Sequence, residues 1–392
     1  QRDGVLDFVR GLSAMLVMLG HLRALLFVDF GSVANPNFFT KVFYLVTGFG
    51  HQAVLVFFVL SGYFVGGSVL VSLKTDRFSW SWYGVARLSR LWVVLVPALV
   101  ITFWADRLGC HWNSVAYQGR YYPDFMAGIH VDSPASYSLL TGLGNLAFLQ
   151  TISVPVYGSN GPLWSLANEF WYYVLFPLVA VPLFQIGMAL KHHQSIEASK
   201  HRSITCHFII FALLLWWLPG GLLLGGTIWL LGVMVWTVEK YAWARRWMQN
   251  WVWRFLFGGI FCSTLLASKM SSWFGSDHAV SLAFALWMPS LLGPWLKIAW
   301  WSRLSTGLSG ISYTLYIIHF PILFMVVTAT LKGRQFAPGL QGLLWFLGLA
   351  FATVSISIGM WWLFERNTIK VRHFIGKRLF SLLKTDIRTS GK

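Results

Sequence analysis

Residues 5–28 read VLDFVRGLSAMLVMLGHLRALLFV, 24 residues with Asp7, Arg10, His21 and Arg23 as the only ionisable side chains. A helix crosses a bilayer with about 20 mainly apolar residues, so this run is long enough. It is too long for the core of a signal peptide, it contains Arg10 and His21, and no small-x-small cleavage site follows. It therefore reads as a retained membrane helix. The chain starts at Gln1, so an initiator segment is expected either to have been removed or to lie outside this sequence.

Working outward, nine further apolar stretches of similar kind follow, near 51–73, 83–104, 162–185, 206–219, 222–238, 254–270, 279–297, 308–331 and 341–364. The 206–219 stretch is short and leads into the tight PGGLLLGG turn at 219–226. The run 139–152 has only 14 residues and two glycines, and is expected to be interfacial or re-entrant. The expectation is an all-α polytopic bundle of about ten transmembrane helices over 1–365, with a basic tail over 366–392.

Composition agrees. Of 392 residues, 56% are hydrophobic and 11% are Asp, Glu, Lys or Arg, against about 25% charged in soluble domains. The net charge is nevertheless +17. A basic nucleic-acid-binding protein does not spend half its length in charge-free runs, so no nucleic-acid partner is expected. The hydrophobicity excludes a disordered basic chain. With the N-terminus in the cytoplasm, the spans divide the Lys and Arg residues 23 inside to 6 outside, with Arg23 at the outer end of the first span. That asymmetry predicts an even number of spans and both termini inside. Three cysteines, Cys110, Cys206 and Cys262, stand at unrelated spacings and suggest neither a disulfide framework nor a metal site. No internal repeat is visible, and none of the usual phosphate-loop, dinucleotide, zinc or nucleophile-elbow motifs occurs.

Ionisable residues inside a membrane are costly and mark function. Arg10 and His21 are 11 residues apart, about three helical turns, so they share one face roughly 16 Å apart along the axis. Asp7 precedes Arg10 by three residues and can pair with it. The segment GPLWSLANEFWYYVLFP puts Ser165, Asn168, Glu169 and Tyr172 on a polar stripe, with Glu169 about 10 Å below the outer end. His21 comes out at a similar depth, so the two can form an acid/base pair. Structural alternatives stand beside these readings: Arg10 extends to the inner surface, His21 bonds a neighbouring helix, and Glu169 pairs with a Tyr or Arg. In RLSRLWVVLVP, Arg87 and Arg90 lie one turn apart at the inner interface, where they serve either as orientation charge or as a grip on a phosphorylated ligand. SYTLYIIHFP places Ser312, Tyr316 and His319 on one stripe and makes His319 a second candidate. Gly62, Gly66 and Gly67 suit close helix packing. The outer segment near 105–161 carries His111, Trp112, Tyr117, Tyr121, Tyr122 and Tyr157, which form either an interfacial belt or a platform for a sugar ring.

The succession LDFVRGLSAMLVMLGH, FFVLSGYFVGG, RLSRLWVVLVP, GPLWSLANEFWYYVLFP and SYTLYIIHFP resembles the acyltransferase 3 family of membrane O-acyltransferases. These enzymes decorate bacterial polysaccharides, peptidoglycan and nodulation signals. The likeness spans residues 1–365; its Arg-x10-His falls on Arg10 and His21, its Arg-x-x-Arg on Arg87 and Arg90, and its Leu-Trp-Ser-Leu-x-x-Glu on 163–169. It implies a multi-pass protein of the bacterial inner membrane that transfers an acyl group, usually acetyl, from cytoplasmic acetyl-CoA to a carbohydrate hydroxyl outside. No tightly bound cofactor and no metal are implied. His21 would be the base or a transient acyl carrier, Glu169 its partner or a hydroxyl-orienting group, and Arg10, Arg87 and Arg90 the donor-binding residues. Ser61, Trp164, Ser165, Asn168, Tyr172, Tyr313, Tyr316 and His319 would support the site or its acceptor side. The sequence departs from the family at Gln52-Ala53-Val54, where an acidic residue or glycine is often found, and no appended esterase-like domain is expected. The lipid bilayer is a partner by composition, and monomer and homodimer both stay open. A proton-coupled transporter of a sugar or anionic metabolite suits the buried ionisable groups equally well, but the lack of repeats and the one-sided arginines speak against it.

Overall fold

The computed structural model describes residues 4–118, 135–193, 197–270, 276–292 and 299–389. Arg2, Arg120, Tyr121, Tyr122 and Lys297 lie outside them. The described chain is helical, with isolated bridges in place of strands. In order the helices are α1 (Gly4–Leu26), α2 (Phe38–Thr47), α3 (Gly50–Ser61), α4 (Gly67–Lys74) and α5 (Trp80–Trp112). There follow α6 (Leu139–Leu146), α7 (Leu163–Lys191), α8 (Ala198–Trp217), α9 (Gly220–Val238) and α10 (Ala242–Gln249). The last five are α11 (Trp251–Met270), α12 (Ser276–Leu291), α13 (Ala299–Leu331), α14 (Leu340–Leu363) and α15 (Thr368–Thr389).

Among the described residues, 8 helical segments are long and apolar enough to cross a membrane: Gly4–Leu26, Phe38–Lys74, Trp80–Trp112, Leu163–Lys191, Gly220–Val238, Trp251–Met270, Trp300–Leu331 and Leu340–Arg378. The other two expected spans coincide with α8 and α12. Lys200, His201 and Arg202 occupy the first turns of α8, and α12 has 16 residues. The 139–152 run is not a span. Its helix α6 has 8 residues and gives way to a turn with Phe148 and Thr151 at φ 57° and 63°.

Caps explain several helix starts. Asn37 accepts the Thr40 N–H at 2.8 Å before α2, and the Ser79 and Ser138 hydroxyls accept the N–H groups of Trp82 and Thr141 before α5 and α6. α5 outruns its apolar stretch by eight residues, to Trp112.

The chain forms two compact units. The first holds residues up to Ser13, His51–Phe78 and Ser165–Ser305. Its α3 and α4 are joined by a π-helical turn, Gly62–Gly66, which packs on α9. A Cβ at Gly62 would run into the Trp229 carbonyl, and one at Gly232 into the Val59 carbonyl. Only glycine lets two helix backbones approach this closely.

The second unit holds Ala14–Gly50, Ser79–Trp164 and Thr306 onward. Here α5 and α13 are laced side chain to backbone. The Tyr313 hydroxyl donates to the Leu91 carbonyl at 3.0 Å, and Asn113 Nδ2 to the Thr328 carbonyl at 3.1 Å. The end of α1 is tied to the α13–α14 connection. Phe336 N–H donates to the Leu26 carbonyl at 2.7 Å, Val28 N–H to the Phe336 carbonyl at 3.1 Å, and Gln335 Nε2 to the Ala24 carbonyl at 2.8 Å. Phe27 then packs among Phe43, Phe336 and Phe346. Helix α15 lies along α5, with Trp82 against Gly376.

Candidate active site

In the second unit His21 projects from α1 and His319 from α13. His21 Nδ1 and His319 Nε2 are 2.8 Å apart, and the two rings lie nearly parallel, 10° between planes. The other nitrogen of His319, Nδ1, is 2.9 Å from the Leu315 carbonyl, one turn back on α13. A carbonyl only accepts, so His319 Nδ1 carries a proton. In the neutral ring Nε2 is then a bare acceptor, and His21 Nδ1 must be the donor. The proton of the His21 ring is thereby assigned to Nδ1, and its Nε2 is left with a lone pair. That is the state in which an imidazole accepts a proton from a hydroxyl. Phe320 stands edge-on to His21 at 5.2 Å and Tyr316 is 6.1 Å from His319, so the pair is walled by aromatic rings. His319 is fully buried and His21 partly so.

Arg87 and Arg90 project from α5 in the same unit. Arg87 is half-buried with its guanidinium over the Tyr83 ring, 5.3 Å from the centroid, whereas Arg90 is exposed. Tyr313 is spent on the Leu91 carbonyl and Tyr316 is buried. Trp164 is half-buried.

Glu169 belongs to the first unit. Its Oε1 accepts from Ser61 Oγ at 2.6 Å and from the Tyr173 hydroxyl, one turn along α7. Trp229 Nε1 donates to Ser61 Oγ at 3.1 Å, so the serine passes a hydrogen bond from α9 to the carboxylate. The π turn begins at the residue after Ser61; such turns gather at functional sites. Ser165 and Asn168 are buried, and Tyr172 gives its hydroxyl to the Leu222 carbonyl at 2.9 Å. Arg10 pairs with Asp7 at 3.4 Å, as their spacing predicts.

The structure thus gives His21 a partner that the sequence reading had kept as a separate candidate. Each of His21 and Glu169 has its own partners within its own unit. Tyr117 is buried against Phe324, ring centroids 4.9 Å apart, while His111 and Trp112 are exposed. A buried aspartate went unnoticed in the sequence. Asp106, fully buried near the end of α5, accepts the Ser159 N–H and hydroxyl at 2.6 Å each, and the Tyr137 hydroxyl at 3.2 Å. Burial, with Asp106 alongside, pushes the Tyr137 hydroxyl well above the usual phenol range, so it stays protonated and donates. Among the described residues no His, Cys, Asp and Glu cluster is placed to hold a metal ion.

A family model described as an acyltransferase domain matches residues 3–362. The chain belongs to the acyltransferase 3 family. It is a multi-pass membrane O-acyltransferase in the family's general sense. No curated protein and no solved structure matches it.

Proposed function

We propose that this acyltransferase moves an acetyl group from acetyl-CoA to a carbohydrate hydroxyl, with His21 as the base. The observation that carries the reading is the His319-bound His21, whose Nε2 lone pair is set by the hydrogen-bond chain ending on the Leu315 carbonyl. In the transfer, His21 Nε2 takes the proton of the acceptor hydroxyl as its oxygen bonds to the thioester carbonyl carbon. The C–S bond breaks, and the proton passes from His21 to the departing thiolate. His319 steadies the positive ring that forms in between, because its Nε2 accepts from His21 Nδ1–H throughout. Placing such a base is worth typically 10²- to 10⁴-fold in rate.

Arg87 and Arg90, with Arg10, are the residues we assign to the phosphates of coenzyme A; planar guanidinium groups suit phosphate oxygens. The excess of Lys and Arg on one set of connections orients the chain with both termini in the cytoplasm and the donor entering there. Glu169, loaded with two donors, is assigned to the acceptor side, where a carboxylate orients a sugar hydroxyl. The setting is the bacterial inner membrane, with a surface polysaccharide, lipid-linked glycan or oligosaccharide as acceptor.

The test is mass spectrometry of surface glycans from cells carrying the wild-type chain, His21→Ala, or no copy. Loss of O-acetyl groups with His21→Ala, in protein that still inserts, is the expected result. Normal O-acetylation by that variant would end this reading.

A further inference from the structure

Helix α13 runs through Pro321 without a break. Proline has no N–H, so the carbonyl four residues earlier, that of Ile317, loses its helical donor. A buried carbonyl left this way is costly and calls for another partner. The partner comes from outside the helix. Asn160 Nδ2 donates to the Ile317 carbonyl at 2.9 Å and also to Thr102 Oγ1 on α5 at 3.1 Å. Thr102 spends its own proton on the Ala98 carbonyl at 2.8 Å, so it can only accept here. The amide of Asn160 therefore has one workable orientation: reversed, its oxygen would face two acceptors. This orientation is held although Asn160 Oδ1, fully buried, has no hydrogen-bond partner among the described residues.

The residues before Asn160 explain how it gets there. Ser159 is fastened to Asp106 by its N–H and its hydroxyl, and Asp106 lies one turn beyond Thr102 on α5. Gly158 takes a left-handed backbone, φ 57°, and a Cβ at that position would meet Thr102 Cγ2 at 2.9 Å. The segment Gly158-Ser159-Asn160 is a strap that starts on α5 and ends on the carbonyl that Pro321 orphans. His319 lies between Ile317 and Pro321.

We propose that Asn160 is a positioning residue for His319: by bonding the Ile317 carbonyl it holds the course of α13 ahead of Pro321 and so the place of the His319 imidazole beside His21. The proposal rests on the reading of His21 and His319 as the acyl-transfer pair. Asp106 and Ser159 act one step further out, by delivering Asn160.

The experiment uses the full chain in nanodiscs, with acetyl-CoA as donor and the loss of its thioester as readout. Asn160→Ala and Asn160→Asp are compared with wild type for kcat, for the donor KM and for melting temperature. The aspartate keeps the volume but presents acceptors in place of donors. Both variants are expected to lose about tenfold or more in kcat, with the donor KM changed less than about twofold, because a small misplacement of a catalytic group costs rate rather than donor binding. Asn160→Ala is also expected to lower the melting temperature in the wild-type background and hardly at all in a Pro321→Ala background, where a backbone N–H again serves Ile317. Wild-type kcat in either variant, or equal losses of melting temperature in both backgrounds, would overturn the proposal. Where Asn160→Ala does not fold, Thr102→Val loosens the same hold at constant volume, and an unchanged kcat there overturns it too. His21→Ala is run alongside. If that variant keeps full activity, the assignment of the pair is what has failed, whatever Asn160 does.

Discussion

His21 and His319 meet nitrogen to nitrogen, Nδ1 to Nε2 at 2.8 Å, although 298 residues separate them in the chain. The contact decides which nitrogen of His21 works. A histidine on an apolar helix has two tautomers and no local reason to choose between them. Here the Leu315 carbonyl chooses for both rings, by accepting from His319 Nδ1. The arrangement has the logic of an oriented base: an outer group fixes the tautomer and the ring angle, and the inner imidazole exchanges the proton.

His319→Ala removes the acceptor for His21 Nδ1–H. It is expected to lower kcat by about 10²-fold, the low end of what a placed base contributes, with the donor KM little changed. His319→Gln keeps an oxygen that can accept from Nδ1, and should retain clearly more activity than the alanine. Thioester consumption by purified variants measures both. Equal activities for alanine and glutamine would show that acceptance by residue 319 is unimportant.

Ser61 sits between Trp229 Nε1–H and Glu169. Ser61→Ala takes one donor from the carboxylate and leaves the indole N–H without its acceptor. A stability loss of about 1–3 kcal/mol is expected, together with a fall in activity, because Glu169 Oε1 then keeps Tyr173 but loses the donor from Ser61. Thermal unfolding and transfer assays on the same sample separate the two effects. A variant as stable and as active as wild type would mean that the chain of bonds through Ser61 is idle.

Gly62 has no room for a side chain beside the Trp229 carbonyl. Gly62→Ala should cost about 1–3 kcal/mol, the range of an overpacked contact. Gly259, in α11, has nothing within 4 Å of where a Cβ would stand. Gly259→Ala should leave stability unchanged or raise it by about 0.5–1 kcal/mol through helix propensity. Unfolding in detergent, followed by tryptophan fluorescence, distinguishes them.

The helices were legible in the sequence wherever an apolar run was long enough to span. The 5–28 run became α1 within two residues at each end, because nothing in it competes with helix. Boundaries were missed where a helix runs on past its apolar stretch. α5 continues through Asp106 because Ser159 and Tyr137 neutralise the cost of burying it, and those partners lie 31 to 53 residues away. α13 begins at Ala299, ahead of the expected 308, on a stretch that contains Arg303 and Ser305. The site was legible as single residues: helical spacing puts His21 and His319 on polar faces of their own spans. Their contact was not, since spacing along one helix says nothing about which face meets which neighbour. The strap was hidden for the same reason, although Pro321 does announce in the sequence that the Ile317 carbonyl needs a donor.

The arginines on α5 offer a test of the donor side that leaves the histidines untouched. Arg87 is half-buried and rests on Tyr83, whereas Arg90 is exposed one turn on. A charge-assisted hydrogen bond to phosphate contributes about 1.5–3 kcal/mol, so Arg87→Ala and Arg90→Ala should each raise the donor KM roughly 10- to 100-fold with kcat nearly unchanged. Lysine at either position keeps the charge but not the planar fork, and should recover only part of the loss. The exposed Arg90 is screened by salt, with a Debye length of about 8 Å at physiological ionic strength. Its contribution should therefore shrink on going to high salt, while that of Arg87 persists. Steady-state kinetics at two salt concentrations, with adenosine 3′,5′-bisphosphate as a competing ligand, measures all of this. A donor KM unmoved by both alanine variants would leave the two arginines as orientation charges alone.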